Sequence, residues 1–567
     1  MIKNFFLIAV RNISRHKVFT FINVTGLAVG LAASLLILLW VQDEFSFEKF
    51  NQNAEKIYRV EEDQFYSGER YHVTVTPFPS GPVWKEKIPE IAEQTRIYPW
   101  MPRMLFRHGD KVFFESSLIA ADSSFLEMFT YPLLSGEKST ALNSPHSILL
   151  TEKLARKYFG ETNPIGETLT LENKYEFMVT GIIKELPKNS MFTFEGVIPF
   201  MFLKETGVSD NSWGSNSIFT FLRIDKTADF KSVNKKLTDI VIEHEPQITT
   251  KYLLFPLLDI HLHQQFGFKE TNGPVIIVYI FVMIAIFILL IACINFINLS
   301  TAKASSRGKE IGIKKVAGAD QMTMIVQFML ESILLVAAAM LLALVLVGLF
   351  LNVFNNVSGK HFDLTDLIQV KFIISFISVG LLAGFVAGTY PALYLSSFKP
   401  VTVLKGDTVS GNKSVMLRQI LVVVQFSLSM LIAISAIFMY MQLQFMLDKD
   451  LGFNKNNLIA IPMADNMKPA YYSLKKELEK ETLIQGVTAS LWNPVMIGSN
   501  SGGASWEGKD PEKNVLIGTN GVDYDYLKTM KMELISGRDF SRDFPSDMAG
   551  DTTGNFLVNE ETVRIMG

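Results

Sequence analysis

The sequence predicts an α-helical polytopic membrane protein with five spans and α+β external domains. Three observations lead to this prediction: five long apolar runs, a large segment of mixed character between the first two runs, and basic residues gathered in alternate connections. Hydrophobic residues make up 49% of the 567 residues and charged residues only 19%, whereas soluble domains carry about 25% charged residues. The excess apolar residues therefore belong in a bilayer.

The five apolar runs are long enough to cross a membrane as helices. A bilayer core requires about 20 consecutive apolar residues in a helix. The predicted spans are 19–42, 274–299, 324–351, 371–397 and 417–443. The first run is longer than the ~7–15-residue apolar core of a signal peptide. We therefore expect it to remain as a membrane anchor.

Basic residues set the predicted orientation of the spans. Lys and Arg outnumber acidic residues in residues 1–18, in loop 300–323 and in linker 398–416. Short connections enriched in Lys and Arg remain in the cytoplasm. The N-terminus is accordingly predicted to be cytoplasmic, and residues 43–273, loop 352–370 and residues 444–567 are predicted to face outward. The expected location is the plasma (inner) membrane, with the large domains periplasmic or extracellular.

The segment 43–273 mixes two periodicities, which predicts an α+β domain. Four pieces have the alternation of strands: Ile57–Phe65, Val112–Ile119, Tyr175–Ile183 and Ile218–Ile224. Three pieces have helical spacing: Ser124–Phe129, Glu152–Phe159 and Phe230–Glu245. A segment of this length can fold around its own core.

A repeat links the two external segments. Asp122–Gly136 aligns with Asp523–Gly537, with an aspartate, leucines and a final Ser-Gly in common. Self-similarity of this kind indicates duplicated units. The sequence therefore predicts one complete unit followed by the start of another, with an incomplete second external domain in 444–567 and a chain that is a truncated or split form of a longer protein.

Composition and motif searches exclude several function classes. The 53 Lys and Arg against 56 Asp and Glu leave no global basic excess for nucleic-acid binding. A single cysteine, Cys293, excludes an intramolecular disulfide and cysteine-based metal sites. The sequence contains no G-x-x-x-x-G-K-[ST], H-E-x-x-H or G-x-S-x-G motif. We therefore predict a non-catalytic membrane subunit with no cofactor and no catalytic or metal site.

Two histidines, His261 and His263, could be metal ligands, but this is the less favoured interpretation. His261 and His263 are predicted to alternate along a strand, which would place both side chains on one face. No third ligand accompanies them, so packed or surface histidines are the preferred interpretation.

The loop after the second span, Arg307–Ala319, combines apolar and basic residues. Ile311, Ile313 and Val316 form an apolar stripe beside Lys309, Glu310, Lys314 and Lys315. Such a stripe is typical of a short helix that lies on a membrane or docks into a partner's groove. A basic loop that only sets orientation explains the same residues equally well.

Small and charged residues within the spans suggest packing and polar contacts. The glycines that recur every four residues are Gly26, Gly30, Gly380, Gly384 and Gly388. This spacing favours close helix packing over a hinge. Glu331 in the third span is a candidate functional carboxylate. The preferred alternative is structural pairing with Asn295, Asn298 or a cytoplasmic lysine.

Three stretches resemble one family. Arg307–Ala319 resembles the loop signature of the FtsX-like permeases, which include the macrolide-exporter (MacB-like) and lipoprotein-releasing ABC transporter subunits. Tyr390–Gly406 is similar to the segment that follows the last helix of their four-helix unit, and Leu149–Gly166 is similar to their external core domain. The order of the three stretches matches the predicted topology, and the resemblance points to the tandem eight-span variety.

The resemblance implies a function and a set of partners. Arg307, Lys309, Glu310, Ile311, Ile313, Lys314, Lys315 and Val316 would form the coupling helix that contacts a separate cytoplasmic ABC ATPase. The chain would then be a permease subunit that passes ATPase motion to its external domains, for export or extraction of a substrate. Further expected partners are membrane lipids, an outer-membrane or external adaptor or enzyme, and either a second copy or a second half-permease.

Two other functions remain open. The same ATPase-driven motion could activate an external enzyme such as a cell-wall hydrolase, which would make the chain a transmembrane regulator. A membrane-anchored external enzyme is the least favoured, because no catalytic constellation is present in the sequence.

Overall fold

The structure, a computed structural model, describes residues 2–209, 211–225, 227–246, 248–268, 273–304, 308–397, 412–463, 465–510, 515–548 and 554–567. The chain divides into two units. One contains residues 1–46 and 274–447, and the other contains residues 47–273 and 448–567. We refer to them as the membrane unit and the external unit.

The helices of both units are given in chain order. They are α1 (Ile2–Arg15), α2 (Lys17–Glu44), α3 (Ser80–Lys87), α4 (Phe125–Met128), α5 (Glu152–Phe159), α6 (Phe230–His244), α7 (Ile260–His263), α8 (Val275–Ala304), α9 (Gly308–Val316), α10 (Gln321–Ser358), α11 (Val370–Ser396), α12 (Asn412–Asp448), α13 (Tyr471–Leu478), α14 (Tyr526–Met530) and α15 (Glu560–Met566).

The strands belong to the external unit. They are β1 (Ile57–Tyr66), β2 (Glu69–Val73), β3 (Thr76–Pro77), β4 (Ile91–Tyr98), β5 (Met104–His108), β6 (Lys111–Glu115), β7 (Leu118–Ala121), β8 (Leu133–Gly136), β9 (Ser147–Thr151), β10 (Thr168–Leu171), β11 (Tyr175–Ile183), β12 (Gly196–Pro199), β13 (Asn216–Ile224), β14 (Lys251–Pro256), β15 (Asn500–Ser501) and β16 (Ile517–Gly518).

Among the described residues, five helices of the membrane unit are long and apolar enough to cross a bilayer, which confirms the predicted fold class: α2, α8, α10, α11 and α12. Several extend beyond the predicted apolar runs. The helix predicted to end at residue 351 continues to Ser358, because Asn355 and its neighbours keep helical backbone bonds and Gly359 then adopts a left-handed φ of 68°. Gly359 ends the helix because glycine takes this conformation without steric cost.

Four of the long helices share one core. Its fully buried side chains come from α2, α8, α10 and α11 and include Leu31, Phe296, Ala339 and Ala387. At one end of α2, the Nζ of Lys360 lies 2.7 Å from Asp43 Oδ2 and 2.8 Å from Glu44 Oε1. This ion pair fixes the segment after α10 to the end of α2.

Pro391 lies inside α11 and is buried. A proline commonly ends or kinks a helix. The helix continues past Pro391 to Ser396, so the proline does not end α11. A proline removes one backbone hydrogen bond, and neighbouring helices can compensate for that loss within a membrane bundle.

The external unit is built on a mixed sheet in the order β14-β1-β13-β4-β7-β12-β9-β11-β10-β5-β6. Most neighbouring strands are antiparallel, whereas β7 with β12 and β9 with β11 are parallel. Helices α5 and α6 cover the sheet with their apolar faces, as Leu154 and Tyr158 of α5 and Leu237 of α6 are buried. The α+β prediction is therefore confirmed.

The strand and helix predictions in this domain are confirmed for Ile57–Phe65, Tyr175–Ile183, Ile218–Ile224 and Glu152–Phe159. The single strand predicted over Val112–Ile119 is wrong. The chain forms β6 and then β7, which take different partners: β6 pairs with β5, and β7 pairs with β4 and β12. The polar residues Glu115, Ser116 and Ser117 mark the break between the two strands in the sequence.

Residues 448–567 contain short helices and strands. The two stretches of the predicted repeat, Asp122–Gly136 and Asp523–Gly537, have similar local structure at their first residue. Asp122 and Asp523 each donate their backbone N–H to a carbonyl, Arg96 O at 3.1 Å and Ala489 O at 2.9 Å. A short helix follows each aspartate. The two aligned stretches thus share a local backbone pattern.

Candidate functional site

The coupling-helix prediction falls on α9, which connects α8 to α10 in the membrane unit. The helix ends where Gly318 adopts a φ of 94° and Ala319 donates its N–H to Lys314 O at 3.0 Å. Arg307 lies outside the described residues, as does the side chain of Lys309.

The structure divides the apolar stripe predicted on α9. Ile311 is fully buried against Met324 and Phe328 of α10 and Ala392 and Leu395 of α11. Ile313 is 62% exposed and Val316 is 68% exposed. Since successive helical residues are separated by about 100°, Ile311 and Ile313 point in nearly opposite directions. The three residues of the predicted apolar stripe therefore do not share one face of α9, and their coupling role stays a prediction.

Two lysines hold α9 against its neighbours. The Nζ of Lys315 donates to the backbone carbonyl of Ser396 at 2.6 Å, at the last residue of α11. A cation is favourable at this position because the last carbonyls of a helix carry partial negative charge. The Nζ of Lys314 lies 2.8 Å from Glu310 Oε1 and donates to Gln327 Oε1 of α10 at 3.4 Å. The motif thus connects α9 to both following spans.

The predicted packing glycines all lie against another helix. A Cβ added at Gly30 would lie 2.5 Å from Ala292 Cβ, and one at Gly26 would lie 3.3 Å from Asn295 Nδ2, both on α8. A Cβ at Gly388 would lie 3.0 Å from Ser332 Cβ of α10, and one at Gly380 would overlap the Met340 side chain. The Gly384 position has ordinary van der Waals room beside Val336.

Glu331 lies half-buried on α10, next to the buried Ser332. Its functional and structural roles both stay predictions. Gln327, one turn earlier, is 3% exposed and contacts Lys314, as described above. A polar strip along α10 therefore extends from the α9 contact toward Glu331.

A second feature, which sequence reasoning missed, begins the external unit. Glu48 adopts a left-handed φ of 61° and is 1% exposed. Its carboxylate accepts hydrogen bonds from Met191 N at 2.6 Å and from Asn51 Nδ2 at 2.7 Å. Burial raises the pKa of Glu48 above its ordinary value, although these bonds oppose the shift. A glutamate in this rarely occupied conformation is strained unless its surroundings fix it.

The neighbouring Phe47 ring stacks on His261. His261 and His263 lie on helix α7, so the predicted strand is wrong and the two side chains do not share a face. His263 Nδ1 lies 3.7 Å from Asp259 Oδ1. Among the described residues, no group of three or more His, Cys, Asp or Glu side chains could hold a metal ion.

Models of two known protein families match parts of the chain. The MacB-like periplasmic core domain matches residues 20–240, and the FtsX-like permease C-terminal domain matches residues 282–400. The chain belongs to the ABC transporter permeases of the MacB and FtsX type. This MacB/FtsX-type permease is a multi-pass membrane protein. Helices α2, α8, α10 and α11 lie largely within the matched residues and are long and apolar enough to cross a bilayer.

The permease is similar to several named relatives. It is 25% identical over 255 residues to the macrolide export ATP-binding/permease protein MacB of Bdellovibrio bacteriovorus, covering 44% of this chain and 37% of that protein. It is 25% identical over 259 residues to the ABC transporter permease YknZ of Bacillus subtilis, covering 45% of this chain and 61% of YknZ. The matches thus span less than two thirds of either relative. YvrN of Bacillus subtilis is 20% identical over 70% of this chain and 98% of its own length.

Among solved structures, the permease is similar to the periplasmic region of MacB from Actinobacillus actinomycetemcomitans. That match has a TM-score of 0.28 and 15% identity, and it covers 36% of this chain and 91% of the other. The extracellular domain of the YknZ transporter from Gram-positive bacteria matches with a TM-score of 0.25 and 15% identity, covering 35% of this chain and 99% of the other.

Proposed function

We propose that the chain is the permease subunit of an ABC transporter-like complex, in which a separate cytoplasmic ATPase docks on α9 through Ile313 and Val316. The observation that supports this proposal is that one face of α9 is packed against α10 and α11 while the other is exposed. Ile311 and Lys315 hold one side against α10 and α11, while Ile313 and Val316 are exposed on the other.

Two exposed apolar side chains on a short basic helix suit docking into a groove. Helix-in-groove recognition uses apolar anchors three or four residues apart on one face, and Ile313 and Val316 have that spacing. This arrangement supports the coupling role over a loop that only sets orientation.

The anchored side of α9 would pass motion to the spans. Ile311 is enclosed by residues of both α10 and α11, and Lys315 bonds the end of α11 directly. Packed interiors are nearly incompressible, so a displacement of α9 would move these helices with it. In this proposal the external unit follows the spans, and the chain transmits motion without catalysing a reaction.

The proposed orientation follows from the basic connections. With the N-terminus, α9 and the segment after α11 in the cytoplasm, an ATPase can reach α9. The external unit then lies on the outer side of the inner membrane. The sequence contains no phosphate-binding G-x-x-x-x-G-K-[ST] loop, so ATP hydrolysis is assigned to the partner.

The test is affinity purification of the full chain from gentle detergent, followed by mass spectrometry for an ATPase with a Walker motif. The double variant Ile313→Asp/Val316→Asp should lose the ATPase while the chain still inserts in the membrane. Val357→Asp is the matched control, because Val357 is 84% exposed near the other end of α10. Undiminished ATPase recovery with the double variant would refute the docking face.

A further variant separates docking from transmission. Lys315→Met removes the hydrogen bond to Ser396 O and leaves Ile313 and Val316 in place. We expect it to retain the ATPase and to lose the change in ATP hydrolysis rate that complex formation produces. If Lys315→Met behaves like the wild type in both assays, Lys315 has no part in transmission.

A further inference from the structure

Strand β6 forms one edge of the sheet in the external unit. Its partner among the described residues is β5, in the register Leu105 to Phe114 and Arg107 to Val112. Along the strand, Val112 is 37% exposed, Phe113 42% and Phe114 37%. Long apolar edge strands are uncommon because their unpaired backbone groups can pair with another chain.

The hairpin geometry shows which backbone groups of β6 face away from β5. Gly109 and Asp110 form a two-residue turn, and in such hairpins the pair closing the turn, here His108 and Lys111, exchanges backbone hydrogen bonds. Bonded and non-bonded pairs alternate along an antiparallel ladder. Phe113 therefore bonds β5, whereas the N–H and C=O groups of Val112 and Phe114 point to the open edge.

The charged ends of β6 do not protect this edge. The Nζ of Lys111 donates to the carbonyls of Lys157 and Tyr158 at 3.2 and 2.7 Å. The Glu115 carboxylate accepts from Lys157 Nζ and Tyr158 Oη, both at 2.6 Å. Both side chains are thus drawn toward α5, although edge strands usually keep charges at the edge to prevent pairing.

The sequence of β6, Lys-Val-Phe-Phe-Glu, is complementary to itself in the antiparallel direction. With a two-fold axis at Phe113, Val112 faces the partner's Phe114, and these are the residues whose backbone groups are open. Lys111 lies opposite the partner's Glu115, so no like charges oppose each other in this register. We propose that two copies of this chain associate through antiparallel pairing of their β6 strands.

The proposed pairing would give a closed dimer and not a longer assembly. A two-fold contact uses the same surface on both subunits and leaves no free copy of that surface. The centre is apolar and aromatic, and cations surround it: Arg103 lies over the Phe114 ring at 4.8 Å, and Lys157 lies over the Phe113 ring at 4.6 Å. An apolar centre with a charged rim is typical of protein interfaces. This proposal is independent of ATPase docking on α9.

The test is disulfide crosslinking of the full chain in detergent and in lipid nanodiscs. In the proposed pair, the two Phe113 residues form a non-hydrogen-bonded pair with Cα atoms about 4.5 Å apart, which a disulfide can bridge. Phe113→Cys, in a background in which the single native cysteine is replaced by Cys293→Ala, should give a covalent dimer on mild oxidation.

Lys111→Cys in the same background is the matched control. Residue 111 lies on the same face of β6 as Phe113, but in the proposed pair its two copies would be about 14 Å apart along the strands, a distance of four residues at ~3.4 Å each. No dimer is expected from this control. Absence of a dimer from Phe113→Cys, or equal yields from both variants, would overturn the proposal.

A second variant tests the backbone pairing itself. Val112→Pro removes an N–H that points to the open edge and leaves the β5 bonds of Phe113 intact, and proline is tolerated on edge strands. Combined with Phe113→Cys, it should abolish the crosslink while the chain keeps its wild-type unfolding temperature. A crosslink that persists in this folded double variant would show that β6 pairing is not the contact.

Discussion

Phe47 and His261 lie parallel and in contact, with ring centroids 3.5 Å apart and ring planes 2° apart. Phe47 is near the start of the segment between the first two long helices, and His261 is near its end. The stack therefore joins the two ends of the large external segment, beside Glu48, whose carboxylate accepts hydrogen bonds from Met191 N and Asn51 Nδ2.

The stack should contribute measurably to the stability of the external unit. Aromatic pairs contribute about 0.5–1.5 kcal/mol beyond the area they bury. We expect Phe47→Leu and His261→Leu to show a coupling energy of about that size in a double-mutant cycle, measured by thermal unfolding of the full chain. His263→Leu, on a half-exposed neighbour, should show no coupling with Phe47→Leu. Strict additivity of Phe47→Leu and His261→Leu would contradict the role of the stack.

Stability of the external unit should decrease as the pH rises through the titration of His72. This buried side chain lies 2.8 Å from Glu61 Oε2 through Nε2 and 2.7 Å from Asp63 Oδ1 through Nδ1. Burial would lower its pKa, but the two carboxylates outweigh burial and raise the pKa from 6.5 to about 9. The folded state thus binds the proton more tightly, so the stabilisation is complete below pH 6.5 and is lost as the pH rises to about 9.

Glu62 adds to the same trend. Burial raises its pKa from 4.5 to about 8, although a hydrogen bond from Gln64 opposes the shift. Because the folded state favours the protonated form, its contribution is also lost as the pH rises. Unfolding temperatures of wild type and His72→Gln, measured from pH 6 to 9.5, should show a weaker pH dependence for the variant. An unchanged slope would exclude His72 as the titrating group.

The glycines of the membrane unit should differ in their tolerance of a methyl group. Gly30→Ala brings a Cβ to 2.5 Å from Ala292 Cβ, so α2 and α8 must separate. Overpacking of this kind costs about 1–3 kcal/mol. Gly384→Ala meets only ordinary contacts with Val336, and alanine is the better helix former by up to about 1 kcal/mol.

Unfolding in detergent, followed by helical circular dichroism, compares these two variants directly. We expect Gly30→Ala to unfold at a lower temperature than the wild type and Gly384→Ala to be neutral or more stable. Equal effects of the two substitutions would show that close approach of α2 and α8 does not limit stability.

The sequence by itself determined the elements that depend on local pattern. A long run of apolar residues forms a helix that satisfies its own backbone hydrogen bonds. Such a helix is stable in a bilayer without contacts to distant parts of the chain. This is why the five long helices, the amphipathic helix Glu152–Phe159 and the strand Tyr175–Ile183 were predictable. The motif Arg307–Ala319 was also found, although the role of each residue in it was not.

Only the tertiary structure decided which side of each element is in contact and with what. Ile311 and Ile313 are the same residue type two positions apart, yet one is fully buried and the other exposed, because α10 and α11 occupy one side of α9. The Lys315 bond to Ser396 and the Phe47 stack on His261 each join residues far apart in the chain. Such contacts depend on which distant segments are neighbours in the folded protein, and the periodicity of a local segment does not predict its long-range neighbours.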